Sequence, residues 1–147
     1  MPSTVSGGLG NMWYSYDYGM VHFVHIDTET DLGNGLVGPD EGDPEHAGPF
    51  GTANQQINWL QNDLASVNKT VTPWIVAFGH RGWYLSSSKS VCPNCQTAFE
   101  QLFWQYDVDL YVSGHFHAYE RTAPVYKGVV DPNGLNNPNA TLYITTG

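Results

Sequence analysis

The chain predicts an α/β fold, and three observations carry that expectation. Trp74-Ile75-Val76-Ala77-Phe78 and Leu110-Tyr111-Val112-Ser113 are short apolar runs with the length and residue types of buried strands. Between them, Gln96 to Tyr106 places Phe99, Leu102, Phe103 and Tyr106 on one helical face. A further helical pattern precedes the first run, so strand and helix alternate as in βαβ units.

Taken in order, Trp13 to Tyr18 and Val21 to Ile26 read as strands joined by a turn at Gly19-Met20, a hairpin. His22 and His25 stand three apart on the second strand and so face opposite sides; both read as structural or solvent-facing. Asp27 to Phe50, which holds His46, is a Gly-, Pro- and Asp-rich stretch long enough to be a lid, an insertion or a mobile segment. Thr52 suits the N-cap of a helix running to Val67, with Ile57, Leu60 and Leu64 on its apolar face. The strand Trp74 to Phe78 follows, then a polar loop at Ser86-Ser87-Ser88-Lys89-Ser90, the second helix and the strand Asp109 to Ser113. Asp131 to Pro138 is a polar turn before a last strand, Thr141 to Thr145.

Composition narrows the function classes. The 147 residues are 41% hydrophobic with five Trp, nine Tyr and six Phe, which excludes general disorder. A net charge of −9 argues against nucleic acid and anionic membranes as partners. No apolar stretch approaches the ~20 residues of a membrane span. Asn68-Lys69-Thr70 and Asn139-Ala140-Thr141 are N-glycosylation acceptor triplets and point to the secretory route. Cys92-Pro93-Asn94-Cys95 admits a local structural disulfide, a thiol redox site or half of a zinc site. The disulfide is favoured, because a redox Cys-x-x-Cys closely follows its strand, whereas here the strand ends near Phe78.

Both predicted core strands close on Gly-His: Gly79-His80 and Gly114-His115-Phe116-His117. Functional groups collect at the carboxyl ends of strands in open α/β sheets. In extended backbone, His115 and His117 project to one side, so three imidazoles could meet around a transition metal. The plainer readings are a loop histidine hydrogen-bonded to backbone at His80 and two partly exposed structural histidines at His115 and His117. Two of the five cationic residues, Arg81 and Arg121, stand beside these histidines and suit an anionic substrate such as phosphate. Arg121 could instead pair with Glu120 or Asp109. Trp83 and Tyr84 could wall a cleft, although core packing is the commoner role for such aromatics.

These residues resemble the purple acid phosphatase branch of the metallophosphoesterases, whose blocks run DxG, GDxxY, GNH(D/E), VxxH and GHxH. Gly114-His115-Phe116-His117 matches the fifth block and continues into Tyr119-Glu120-Arg121; Val76-Ala77-Phe78-Gly79-His80 looks like the fourth, with one extra residue. Gly7 to Gly19 and Val21 to Asp31 resemble the stretch between the third and fourth blocks, and the likeness is greatest to fungal and plant-type enzymes. It implies part of a four-layer α/β/β/α sandwich and hydrolysis of phosphomonoesters at a dinuclear centre of Fe plus Zn, Mn or Fe. By carry-over, His80 and His115 would ligate the second, divalent metal and His117 the first, and all three would be catalytic.

The first three blocks have no counterpart, and Met12 stands where Leu9-Gly10-Asn11-Met12 would need a histidine. Residues 1–147 are therefore expected to form a single partial catalytic domain, the C-terminal half, with the N-terminal half as its missing partner. Such a piece should bind at most one divalent ion weakly, be inactive alone and aggregate through exposed edges. The parent would be secreted, extracellular or vacuolar. A non-catalytic metal-binding remnant or interaction module and a Cys-x-x-Cys thiol oxidoreductase are the alternative readings.

Overall fold

A computed structural model describes residues 2–33, 50–87 and 91–147. His46, Lys89 and most of the predicted long loop lie outside the described residues. After a one-turn helix α1 (Pro2–Ser6), the chain forms the hairpin β1 (Tyr14–Tyr18) and β2 (Val21–His25). Gly19 supplies the turn with a φ of 60°, a backbone state that suits glycine. Helix α2 (Gln55–Ser66) leads to β3 (Trp74–Phe78), and helix α3 (Pro93–Gln105) leads to β4 (Leu110–Ser113). Short strands β5 (Tyr119–Arg121), β6 (Val125–Tyr126) and β7 (Val129–Val130) precede β8 (Leu142–Thr146).

Six strands make one mixed sheet in the order β1-β2-β3-β4-β8-β5, while β6 and β7 pair separately. The hairpin is antiparallel, β2, β3, β4 and β8 run parallel, and β5 returns antiparallel on the far edge. The parallel pairing explains why α2 and α3 are needed: each carries the chain back between neighbouring parallel strands. All parallel carboxyl ends consequently meet at one pole.

The start of α2 differs from its sequence expectation. Thr52 does not cap it; Asn54 stands at the N-cap with a φ of 63° and makes no side-chain cap bond. The Asp31 carboxylate instead accepts from the Asn54 and Gln56 backbone amides, the latter at 2.8 Å. A side chain 25 residues upstream of Gln56 thus satisfies donors that a local cap would otherwise take. Helix α3 begins earlier than its periodicity predicts, because Pro93 opens its first turn and Cys92 caps it, accepting from the Cys95 amide at 3.2 Å.

The two helices and one sheet face enclose the core. Leu60, Leu64, Phe99 and Phe103 meet Ile75, Ala77 and Tyr111, all buried. Trp83 joins them, its ring 4.5 Å from Tyr111 and 5.7 Å from Phe103 between centroids, so Trp83 is core rather than cleft wall. Tyr84 is half-buried and its hydroxyl hydrogen-bonds Glu100. On the other sheet face, Phe23, His25, Val76, Phe78, Val112 and Ile144 are only half-buried, and Trp74 is exposed.

Candidate active site

His80 stands two residues past the end of β3, with Gly79 between. A Cβ at Gly79 would collide with the Tyr111 hydroxyl and come within 2.9 Å of Thr28, so glycine lets these groups close in beneath the loop. Tyr111 Oη then donates to the Arg81 carbonyl at 2.7 Å, and the Arg81 amide donates to Thr28 Oγ1 at 3.0 Å. The loops after β3 and β4 are laced together: Gly79 N donates to Val112 O at 3.1 Å and Gly114 N to His80 O at 2.9 Å.

This lacing brings His80 and His115 together. His80 Nε2 lies 3.1 Å from His115 Nδ1, and the rings are edge-to-face with centroids 5.0 Å apart. His115 reaches this position with a φ of 64°, in the left-handed region that non-glycine residues seldom occupy. Such strain clusters where a side chain must be aimed.

The same turn separates His117 from the pair. The backbone from Gly114 to Ala118 is not extended but folds into tight turns, with Phe116 N on Gly114 O and Ala118 N on Phe116 O at 2.7 Å each. Alternation therefore does not put His115 and His117 on one side, and His117 is exposed. Among the described residues, no group of three or more His, Cys, Asp or Glu stands close enough to hold a metal ion.

Arg81 is buried, at 8% exposure. Its Nε donates to both carboxylate oxygens of Glu29 at 2.9 and 3.0 Å, and its Nη1 stands 3.2 Å from His115 Nε2. The guanidinium is thus committed to holding Glu29 and His115, which limits its reach toward a phosphate. Arg121 lies on exposed β5 and lines a separate cavity with Pro124 and Leu135. Neither predicted carboxylate partner claims it, for Glu120 accepts from the Ser86 amide and hydroxyl and Asp109 from the Ile75 amide.

His80 opens onto a cleft of ≈ 420 Å³ on the half-buried sheet face, shared with Asn11, Met12, Tyr14, His25 and Phe78. Sequence reasoning missed His25 here. Its ring is stacked between Tyr14 and Phe78 at 4.5 and 5.1 Å, and its Nε2 has no hydrogen-bond partner. Burial holds its pKa below the ordinary 6.5. The available signal was register, because His25 pairs across the sheet with Phe78, two residues before His80. Glu29 was missed as well, and its 52-residue separation from Arg81 left no local sign.

Cys92 and Cys95 form a disulfide, and both are buried at 2% and 0% exposure. Thiol exchange needs an accessible sulfur, so this placement suits a staple and not a redox centre. The Cys92 amide also donates to Gly82 O at 3.0 Å, tying α3 to the loop that carries His80. Asn68 and Asn139 are both exposed, and Thr70 Oγ1 donates to Asn68 Oδ1 at 2.7 Å. No described helix is long and apolar enough to cross a membrane.

A mixed sheet whose parallel strand ends gather at one pole, with His80 and His115 paired across the loops after β3 and β4, defines an α/β protein with its candidate site at the strand carboxyl ends. The chain belongs to the calcineurin-like phosphoesterase family, whose sequence profile matches residues 7–119. It is similar to acid phosphatase A of Cryphonectria parasitica, with 51% identity over 136 residues that make up 92% of this chain and 27% of that one. An acid phosphatase of Aspergillus ficuum is 40% identical, matching 100% of this chain and 28% of its own length. The fold superposes on a purple acid phosphatase from yellow lupin (Lupinus luteus) seeds with a TM-score of 0.68 and 27% identity, over 92% of this chain and 22% of the lupin chain. The chain thus spans little more than a quarter of the length of these two fungal relatives.

Proposed function

We propose that this chain contributes half of a dinuclear centre that hydrolyses phosphomonoesters, as an acid phosphatase of the purple type. The observation that carries this reading is the His80–His115 pair at the laced ends of β3 and β4. Two nitrogens bound to one ion at ~2.0–2.1 Å cannot lie more than ~4.2 Å apart. The observed 3.1 Å satisfies that limit. Imidazole suits Zn or Fe, so the donor set fits those members of the implied group as far as it goes.

His80 and His115 would hold one ion, and His117 would serve its neighbour. A bound pair of ions supplies charge neutralisation for the phosphate and activation of water. This chain's own residues do the rest of the work assigned here. Glu29 fixes the Arg81 guanidinium and Arg81 fixes the His115 ring, so the imidazole beside His80 is already oriented. Tyr14 and Phe78 line the cleft with aromatic surface beside His80. The carboxylate and tyrosine ligands of the purple type are not supplied by DxG, GDxxY or GNH(D/E) blocks in this sequence, and an N-terminal half-domain would bring them. Arg121 remains available to an extended substrate, though it lines a cavity apart from His80. We further assign the protein to a secreted, extracellular or vacuolar setting, with glycans at Asn68 and Asn139.

Zinc calorimetry on this chain tests the pair. Weak binding of about one ion is expected, and His80→Ala or His115→Ala should weaken it about tenfold or more. Isotherms identical to wild type would sink the shared-ion reading. In a full-length parent, each histidine change should cost most of the acid-pH activity, mainly in kcat. The chain alone should turn over an activated phosphomonoester no faster than a metal-only blank. The second reading is a metal-binding remnant or interaction module without catalysis. A parent that binds metal but lacks hydrolytic activity at every pH would establish that instead.

A further inference from the structure

The helix-side face of β2 carries a second histidine arrangement that the proposed reaction does not use. His22 is 7% exposed, and each of its ring nitrogens meets a carboxylate. Nδ1 lies 2.6 Å from Asp17 Oδ1 and Nε2 lies 3.0 Å from Asp63 Oδ2. Asp17 is the cross-strand partner of His22 on β1, whereas Asp63 reaches in from α2. The other Asp63 oxygen accepts from Ser15 Oγ at 2.5 Å. Ser15 N donates to Ser6 Oγ at 3.2 Å, and Trp59 Nε1 donates to Ser6 O at 2.8 Å. One imidazole therefore joins both strands of the hairpin to α2, with α1 laid across the junction.

A neutral imidazole has one N–H and can donate to one carboxylate; its second nitrogen then turns a lone pair toward the other. Only the imidazolium donates to both, through charge-assisted bonds. Among the described residues, no Lys or Arg pairs with Asp17 or Asp63. The titratable groups around the adjoining cavity of ≈ 680 Å³ are Tyr16 and Asp17 from β1, His22 itself and Asp63 from α2, and α1 contributes only Ser6 among its polar contacts.

We propose that His22 is a proton-operated clasp, which fastens the β1–β2 hairpin to α2 when protonated and lets go of one partner when it loses its proton. Burial alone would disfavour the charged ring, but hydrogen bonds and charge attraction from Asp63 and Asp17 outweigh it and raise the pKa above 6.5. The folded-state value is raised, so this stabilisation is fully present below pH 6.5 and is lost as pH rises through the folded value. What the clasp seats is the helix that holds the Asp27–Asp31 loop. Gln56 Nε2 donates to Asp27 O and Thr30 O at 2.9 and 3.0 Å, and that loop in turn supplies Thr28 and Glu29 to Arg81. Acid conditions therefore tighten the support beneath the histidine pair.

Side-chain C2 hydrogen–deuterium exchange, read by mass spectrometry on the full chain at submicromolar concentration, titrates each histidine separately. His22 should titrate above 6.5, with His25 in the same chain below it as an internal reference. Asp17→Asn removes the more exposed partner and should move the His22 midpoint down while leaving His25 in place. Backbone amide exchange of Gln55–Ser66, corrected for its intrinsic pH dependence, should rise once pH passes the His22 midpoint. A His22 midpoint at or below 6.5, no shift in the Asp17→Asn variant, or pH-independent exchange of α2 would each overturn the clasp.

Discussion

The two faces of the six-stranded sheet are built alike in composition and differ in cover. Toward the helices, Ser15, Val24, Ile75, Ala77, Tyr111 and Tyr143 are buried. On the reverse, Tyr14, Phe23, Val76, Phe78, Val112 and Ile144 are no less apolar, yet remain half-buried. Strands that read as continuous apolar runs, such as Trp74 to Phe78, belong to sheets covered on both sides. The difference leaves the reverse face, among the described residues, without the second layer that the family resemblance implies. It also places the His80 cleft where that layer would meet this one.

Paired truncations test the contrast most strongly. Phe103→Ala, in the fully buried core, should cost about 3–5 kcal/mol of unfolding free energy. Phe78→Ala on the reverse face should cost clearly less in this chain, because its ring is already partly wet. Urea unfolding at low concentration, followed by tryptophan fluorescence, compares them. Equal losses would mean that the reverse face is covered in solution, by a second copy or by residues beyond those described.

A smaller effect concerns association. An open apolar face of this kind should bind an environment-sensitive dye and drive self-association at micromolar concentration. Phe23→Glu should suppress both, while Gln101→Glu, on the solvent side of α3, should not. A monomeric wild type with no dye signal would remove the basis for a second layer.

The smallest expected effect is in pH dependence, where His22 and His25 oppose each other across β2. His25 has its pKa lowered by burial, so the unfolded chain takes up that proton first as pH falls. Its contribution to stability is intact above pH 6.5 and declines below it. In His25→Phe, the acid-side loss should be shallower, as measured by urea midpoints between pH 5 and pH 7. An unchanged acid limb would show that His25 is more hydrated than its stacked setting implies.

Much of this fold was legible because its signals are local. The hairpin follows from Gly19 between two alternating segments, and the parallel order follows from helices set between short apolar runs. Both site loops announced themselves through Gly-His at a strand end. What escaped was long-range or conformational. The extended-backbone argument for His115 and His117 failed because His115 adopts a positive φ that no neighbouring residue type demands. Glu29 on Arg81 and Asp63 on His22 join residues 52 and 41 positions apart, and no periodicity encodes such pairs. The Thr52 cap failed for the same reason, since a distant carboxylate had the better geometry.

That distant carboxylate bears on the order in which the molecule assembles. At the start of α2 the Gln55 amide has a local acceptor in Thr52 O, but the Asn54 and Gln56 amides are satisfied only once Asp31 has docked against them. As a free peptide, the segment would begin with bare donors and fray from that end. The helix start is then completed after the hairpin and its following loop have condensed, late along the folding coordinate. Asp31→Ala should speed unfolding far more than it slows folding, so the cap acts chiefly on how long the native state survives.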